Sequence, residues 1–329
     1  MTNPSTDPVH ILMILDGWGI NEDDHGNAFS AAHTPFLDSL IEEYPSCRLA
    51  CSGREVGLPD GTMGNSEVGH MNIGAGRKVP QDFVRINTAI EDGSFFNNKE
   101  LGDVMTRVAK NDKNLHFMGL LSDGGVHSHM NHLYALINLA KQKKVKNVCI
   151  HPILDGRDTS PTSGISYIRQ LQDFLDSVGT GRIATIVGRY WAMDRDTRWD
   201  RVKKAYTLYT HFQGQAFEDP VDAVQKAYDS KQTDEFIEPI VIIDTFSEPV
   251  GTVRDGDGIV FFNFRADRAK EITSAFTQED FSEFKRPTIP KIEGFVGMTQ
   301  YDETFGLPAA FGPQHLDNIL GEILSRNNI

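Results

Sequence analysis

The stretch VCIHPILDGRDTSPTSGISYIRQLQDFLDSVG, residues 148–179, decides the fold. Val148–Leu154 is a short apolar run bounded by turn residues, as a strand buried on both faces requires. Asp155-Gly156-Arg157-Asp158 ends it. Ser160-Pro161 predicts a helix start, with Ile165, Ile168, Leu171 and Leu175 on one face and Gly179 as the stop. A buried strand, a charged turn and an amphipathic helix make one repeat of an α/β protein.

The same alternation runs through the chain. Further strands are expected at Val9–Leu15, Leu115–Leu121, Ile183–Val187, Ile240–Ile243, Ile259–Asn263 and Gly294–Met298. Thr34-Pro35 opens a helix carrying Phe36, Leu37, Leu40 and Ile41 on one face, and Pro45 stops it. Leu316–Leu324 reads as an amphipathic helix. Glu218–Glu238 reads as a solvated helix and loop. Largely parallel sheets are the expectation. There is no internal repeat and no low-complexity tract.

Composition narrows the function. The 329 residues include 32 Lys+Arg and 46 Asp+Glu, a formal charge of −14. That acidity argues against a broad nucleic-acid surface, but a few local arginines suffice for a small anion. Residues 1–8 are polar, and the apolar run after them is too short for a membrane span and lacks a signal peptide's basic flank. Cys47, Cys51 and Cys149 form no Cys-x-x-Cys pair, which fits a reducing, cytoplasmic setting.

In open α/β sheets, ligands bind beyond the carboxyl ends of the strands. Here those ends are charged. Asp16-Gly17-Trp18-Gly19 follows the first expected strand, and Ser122-Asp123-Gly124-Gly125-Val126-His127-Ser128-His129 the second. Asp155-Gly156-Arg157-Asp158, Gly188-Arg189 with Asp194-Arg195, and Asn263-Phe264-Arg265-Ala266-Asp267-Arg268 follow others. Arg157, Arg189, Arg195, Arg265 and Arg268 suit a small polyanion, because guanidinium binds phosphate or carboxylate bidentately. Surface salt bridges are the alternative. Arg265 and Arg268, three apart at an expected helix start, can face one ligand.

Other residues keep two readings each. His127 and His129 could hold a metal, hydrogen-bond an anion or serve structure alone, and the nearby arginines favour the anion. Asp158 is either an N-cap or a general base. Asp16 is a metal ligand or a turn residue. Ser66 lies in Gly64-Asn65-Ser66-Glu67-Val68-Gly69-His70, with glycines at 61, 64, 69, 74 and 76. It is a nucleophile or part of a phosphate cradle if a helix starts there, and otherwise an ordinary loop serine.

Taken in order, these segments resemble the cofactor-independent (2,3-bisphosphoglycerate-independent) phosphoglycerate mutase family. The runs that carry the likeness are Leu15–Gly19, Met63–His70, Leu121–His129, Asp155–Thr159 and Phe262–Arg268, and it covers nearly the whole chain. The resemblance implies an α/β protein with an alkaline-phosphatase-like domain, incomplete here, and an inserted phosphotransferase domain. The expected parts are residues 1–80, the insert at 81–313, and a return segment at 314–329. It implies that Ser66 becomes phosphorylated, with two Mn²⁺ or Mg²⁺ ions lowering its hydroxyl pKa, and that Asp16 and Ser66 ligate one ion. It also implies that His127, Arg157, Asp158, Arg189, Arg195, Arg265 and Arg268 hold 2- or 3-phosphoglycerate. Asp158 would move a hydroxyl proton. No bisphosphoglycerate, nucleic acid or membrane is expected, and the complete protein is expected to be a monomer.

One departure is large. Family members carry later motifs with a lysine on the phosphate side and Asp and His metal ligands, one reading Thr-Ala-Asp-His-Gly-Asn, and none occurs here. Two metal ions need more ligands than Asp16 and Ser66 provide. The expectation is therefore a mutase sequence whose 329-residue chain is inactive alone. The alternative is a non-catalytic phosphoglycerate-binding or interaction module.

Overall fold

The structure, a computed structural model, describes residues 10–329. Among the described residues nine strands form one sheet: β1 (Asn114–Leu120), β2 (Asn147–Leu154), β3 (Arg182–Ile183), β4 (Thr185–Gly188), β5 (Gln215–Phe217), β6 (Ile240–Ile242), β7 (Gly258–Phe261), β8 (Gly294–Thr299) and β9 (Ala309–Phe311). Their order is β5-β6-β4-β2-β1-β7-β8-β9, with β3 also paired to β2. Neighbours run parallel except β4 and β6, which pair antiparallel through Thr185–Val241 and Ile186–Ile240.

The central strands are apolar throughout because both faces of the sheet are covered. Leu115, Phe117, Ile150, Val260 and Val296 pack into one core, with the helices Lys99–Lys110, Met130–Gln142 and Gly164–Val178. Met118, Leu120, Ile153, Ile259 and Phe295 pack into a second core on the other face, against Trp199–His211 and Lys270–Thr277. Successive residues alternate between faces, so a strand between two helix layers has no polar side.

The chain divides into two compact units. One is Gln81–His315, which holds the nine strands β1–β9. The other joins the chain up to Pro80 with Leu316–Ile329. Among its described residues the latter has the helices Ala28–Ala31, Pro35–Glu43, Ser66–Ala75 and Leu320–Arg326, and an isolated bridge from Ser52 to Met63.

Several expectations are corrected. Of the strand expected at Val9–Leu15, Val9 lies outside the described residues, and residues 10–15 form no strand. A strand needs a partner for its N–H and C=O groups. The described residues of this unit contain no named strand, and Ile11, Leu12 and Met13 are exposed. The helix expected from Ser160-Pro161 starts at Gly164, because Ser163 N–H closes a turn on Ser160 O and Asp234 accepts the Gly164 N–H at 2.7 Å. The last helix begins at Leu320 instead of Leu316. The 218–238 segment is not merely solvated: Ala223 and Val224 join the first core and Asp234 is fully buried. Strands β5 and β9, three residues each, are too short to leave a periodic signal.

Candidate active site

The carboxyl ends of β1, β2, β4 and β7 bring their loops together. The loop after β1 reaches the loop after β7 through Phe264 N–H to His127 O (2.8 Å) and Leu120 N–H to Asn263 Oδ1 (2.9 Å). Tyr301 OH donates to the carbonyls of Phe261 and Asn263, and Thr299 Oγ1 donates to Phe264 O. The 263–268 segment is thereby held as a loop. Its arginines precede the helix Lys270–Thr277 rather than opening it, which corrects the helix-start expectation.

Arg189 is the hub. It follows β4 directly and is buried. Nη1 donates to Asp155 Oδ1 and to Asp158 Oδ2, both at 2.6 Å, and Nη2 donates to His127 Nε2 at 3.0 Å. Asp155, also buried, takes Ser122 Oγ at 2.8 Å and the N–H groups of Arg157 and Asp158. Burial pushes the Asp155 carboxyl up, but the Asp158 N–H, Arg189 and Ser122 outweigh it and hold it below the ordinary range.

A second carboxylate arranges the outer arginines. Asp267 pairs with Arg195 Nη1 at 2.9 Å and Arg265 Nε at 3.0 Å, and its Oδ1 lies 3.8 Å from His127 Nδ1. Arg268 donates to Met193 O at 3.0 Å. Burial lowers the Arg268 pKa, and the charges of Arg189, Arg195 and Arg157 lower it further, as expected of cations crowded into one place. Arg157 is half exposed, with Nη1 3.8 Å from Glu235. Burial, and then the charge of Arg189, drop the His127 pKa to about 4, so the ring is neutral near pH 7.

The structure thus gathers His127, Arg157, Asp158, Arg189, Arg195, Arg265 and Arg268 at one edge of the sheet. His129 instead caps the helix Met130–Gln142, its Nδ1 accepting from Asn131 N–H at 3.2 Å.

Ser66 and Asp16 lie in the other unit. Ser66 is the first residue of the helix Ser66–Ala75, and Asn65 caps that helix by accepting from Val68 N–H. Gly64 passes so close to Cys51 that a Cβ there would sit 2.0 Å from the Cys51 carbonyl oxygen. Ser66 Oγ donates to Asp16 Oδ2 at 2.7 Å and lies 3.2 Å from His70 Nδ1. Its hydroxyl therefore stands exposed at a helix N-terminus, where developing negative charge is favoured.

Residues 86–303 match the family described as BPG-independent PGAM N-terminus (iPGM_N). The chain belongs to that family. It is 56% identical, over 96% of its length and 61% of the relative's, to the 2,3-bisphosphoglycerate-independent phosphoglycerate mutase of Syntrophotalea carbinolica. It is 52% identical to mutase 2 of Methanosarcina acetivorans, over 97% of this chain and 61% of that one. Phosphoglycerate mutase from Leishmania mexicana, solved at low cobalt concentration, matches with a TM-score of 0.74 and 34% identity, over 96% of this chain and 60% of that one. The chain spans about 60% of the length of the relatives it matches. The α/β class and the alkaline-phosphatase-like affiliation of this mutase family hold for it.

Asp16 and Ser66 would offer an Mn²⁺ or Mg²⁺ ion one carboxylate and one hydroxyl. Among the described residues no group of three or more His, Cys, Asp and Glu side chains stands together as a metal site. Such ions take about six oxygen ligands. The residues present do not make a metal cage by themselves, and no step is derived through one.

Residues that sequence reasoning passed over do much of the positioning. Asp155 and Asp267 orient the arginines. Asp194 shapes the loop carrying Arg195 by accepting the N–H groups of Asp196 and Arg198. The signal was present as an aspartate within two residues of each outer arginine, in Asp155-Gly156-Arg157, Asp194-Arg195 and Arg265-Ala266-Asp267. Gly188 is a further case. A Cβ there would lie 2.3 Å from Glu235 O, so Gly188→Ala must push the 234–236 turn away from Arg189. The expected cost is about 1–3 kcal/mol in denaturant unfolding. An unchanged midpoint would show that the turn yields freely.

Proposed function

We propose that this chain is the phosphoglycerate-holding portion of a cofactor-independent phosphoglycerate mutase, which interconverts 3- and 2-phosphoglycerate through phosphoserine at Ser66. The observation that carries the reading is the convergence of five arginines and the neutral His127 at one sheet edge. Phosphoglycerate carries a phosphate and a carboxylate, and planar guanidinium groups match both. The arginines would retain glycerate while its 2- and 3-hydroxyls exchange places. Asp158, partly exposed beside Arg189, would take or return the hydroxyl proton. Ser66, whose hydroxyl donates to Asp16 at 2.7 Å, would carry the phosphoryl group between the two positions.

A second reading has one observation in its favour. The whole anion cluster lies in the unit Gln81–His315, apart in sequence from Ser66, so a non-catalytic phosphoglycerate-binding module is physically reasonable. Calorimetry tests what the two readings share. Titrating 3-phosphoglycerate into the 329-residue chain should show binding, and Arg265→Ala should weaken it by roughly tenfold or more, the scale of a lost charge-assisted hydrogen bond. Absence of binding in a chain shown to be folded would remove both readings. Exchange of 3- for 2-phosphoglycerate by the chain alone would exclude the non-catalytic one.

A further inference from the structure

His127 is buried, and its two ring nitrogens meet opposite partners. Nε2 faces Arg189 Nη2 at 3.0 Å, with Asp158 Oδ2 at 3.8 Å. Guanidinium has only donors, so Nε2 must be the accepting nitrogen and the ring proton sits on Nδ1. On that side the nearest charged acceptor is Asp267 Oδ1 at 3.8 Å, beyond hydrogen-bond reach, and Arg265 stands beside it. Nδ1 is buried and without a hydrogen-bond partner, which is costly unless a ligand supplies one.

What holds Arg189 in place is Asp155. Asp158 is the other carboxylate on Arg189, but it is partly exposed, whereas Asp155 is buried and saturated by Ser122 Oγ and two backbone N–H groups. A carboxylate fixed on so many sides cannot follow a moving guanidinium, so the guanidinium is held to it. We propose that Asp155 is a positioning residue: through Arg189 it fixes His127 with its proton on Nδ1, leaving one N–H donor ready for an anionic oxygen of the ligand. The ligand assignment rests on the proposed function, while the tautomer assignment does not. A neutral ring locked in this way donates without needing to be protonated, so its contribution to binding should not vary between about pH 6 and 8.

Long-range proton–nitrogen NMR of the ¹⁵N-labelled 329-residue chain tests this, with His127→Gln identifying the signal. The unliganded chain should show the Nδ1–H tautomer, unprotonated down to about pH 5. Asp155→Asn should give a mixture of tautomers, together with 3-phosphoglycerate binding weakened about tenfold in calorimetry. Should Asp155→Asn not fold, Arg189→Lys keeps the charge but removes the second nitrogen that reaches His127, and should give the same mixture. An Nε2–H signal in the unliganded chain, or a tautomer unmoved by either folded variant, overturns the proposal. A tautomer that responds as expected in a chain that binds no 3-phosphoglycerate supports the positioning role and tells against the ligand.

Discussion

Arg189→Ala is expected to destabilise the unit Gln81–His315 by about 3–5 kcal/mol, the cost of leaving buried partners of an ion pair uncompensated. In thermal unfolding this is a fall of roughly 10 °C for a unit of this size. The magnitude follows from position. Arg189 and Asp155 are both buried, and Asp158 shares the same nitrogen of the guanidinium. Without the arginine, two carboxylates face one another with only backbone N–H groups and Ser122 to satisfy Asp155. Arg189→Met keeps much of the volume and should cost nearly as much, because the missing charge is the cause. Adding Asp155→Asn to Arg189→Met should recover part of the loss. No recovery would place the cost in packing instead.

The same network sets an acid limb. The folded Asp155 carboxyl is held below its unfolded value, which is near 3.9. Its stabilising contribution is therefore complete above that value and is lost as pH falls through the lower, folded one. Arg189→Ala removes part of the depression, so the unfolding midpoint of the variant should vary less steeply with pH below about 4 than that of the wild type.

Ser66→Ala should have the largest effect on activity. In the chain extended by the remaining portion that its relatives possess, phosphoenzyme should vanish and exchange should fall by roughly 10⁶-fold, the scale of removing a nucleophile from a covalent enzyme. The structure supports Ser66 as that nucleophile in three ways. It opens a helix of ten residues, its hydroxyl is exposed, and Asp16 accepts its proton-bearing side at 2.7 Å. A phosphoserine there would place its charge at the positive end of the helix dipole. Stability should change little, since the Asn65 cap remains. Phosphate trapped on another residue in Ser66→Ala would end the assignment.

Legibility differed between the two kinds of feature. Central strands could be read because Leu115–Leu121 and Val148–Leu154 are apolar on both sides, a local consequence of helices on both faces. Strand β6 was located, but not its antiparallel direction, because direction depends on the route of the connection and leaves no mark on Ile240-Val241-Ile242. The apolar run before Asp16 looks the same as a central strand, yet its described residues 10–15 form none, because periodicity reports the capacity for a strand and not the presence of a partner.

From sequence alone came the α/β class, the charged ends of the strands, and the set of arginines and Ser66 as residues of interest. These are properties of short segments, and burial and turn chemistry write them into the order of side chains. Tertiary structure decided which of those charges meet. Asp155 reaches Arg189 across 34 positions and His127 reaches it across 62, separations over which no local pattern operates. It also decided that Asp234 caps a helix 70 residues before it, and that His127 Nε2 faces Arg189. A donor and an acceptor are chosen by what lies opposite, and only the folded sheet brings those partners face to face.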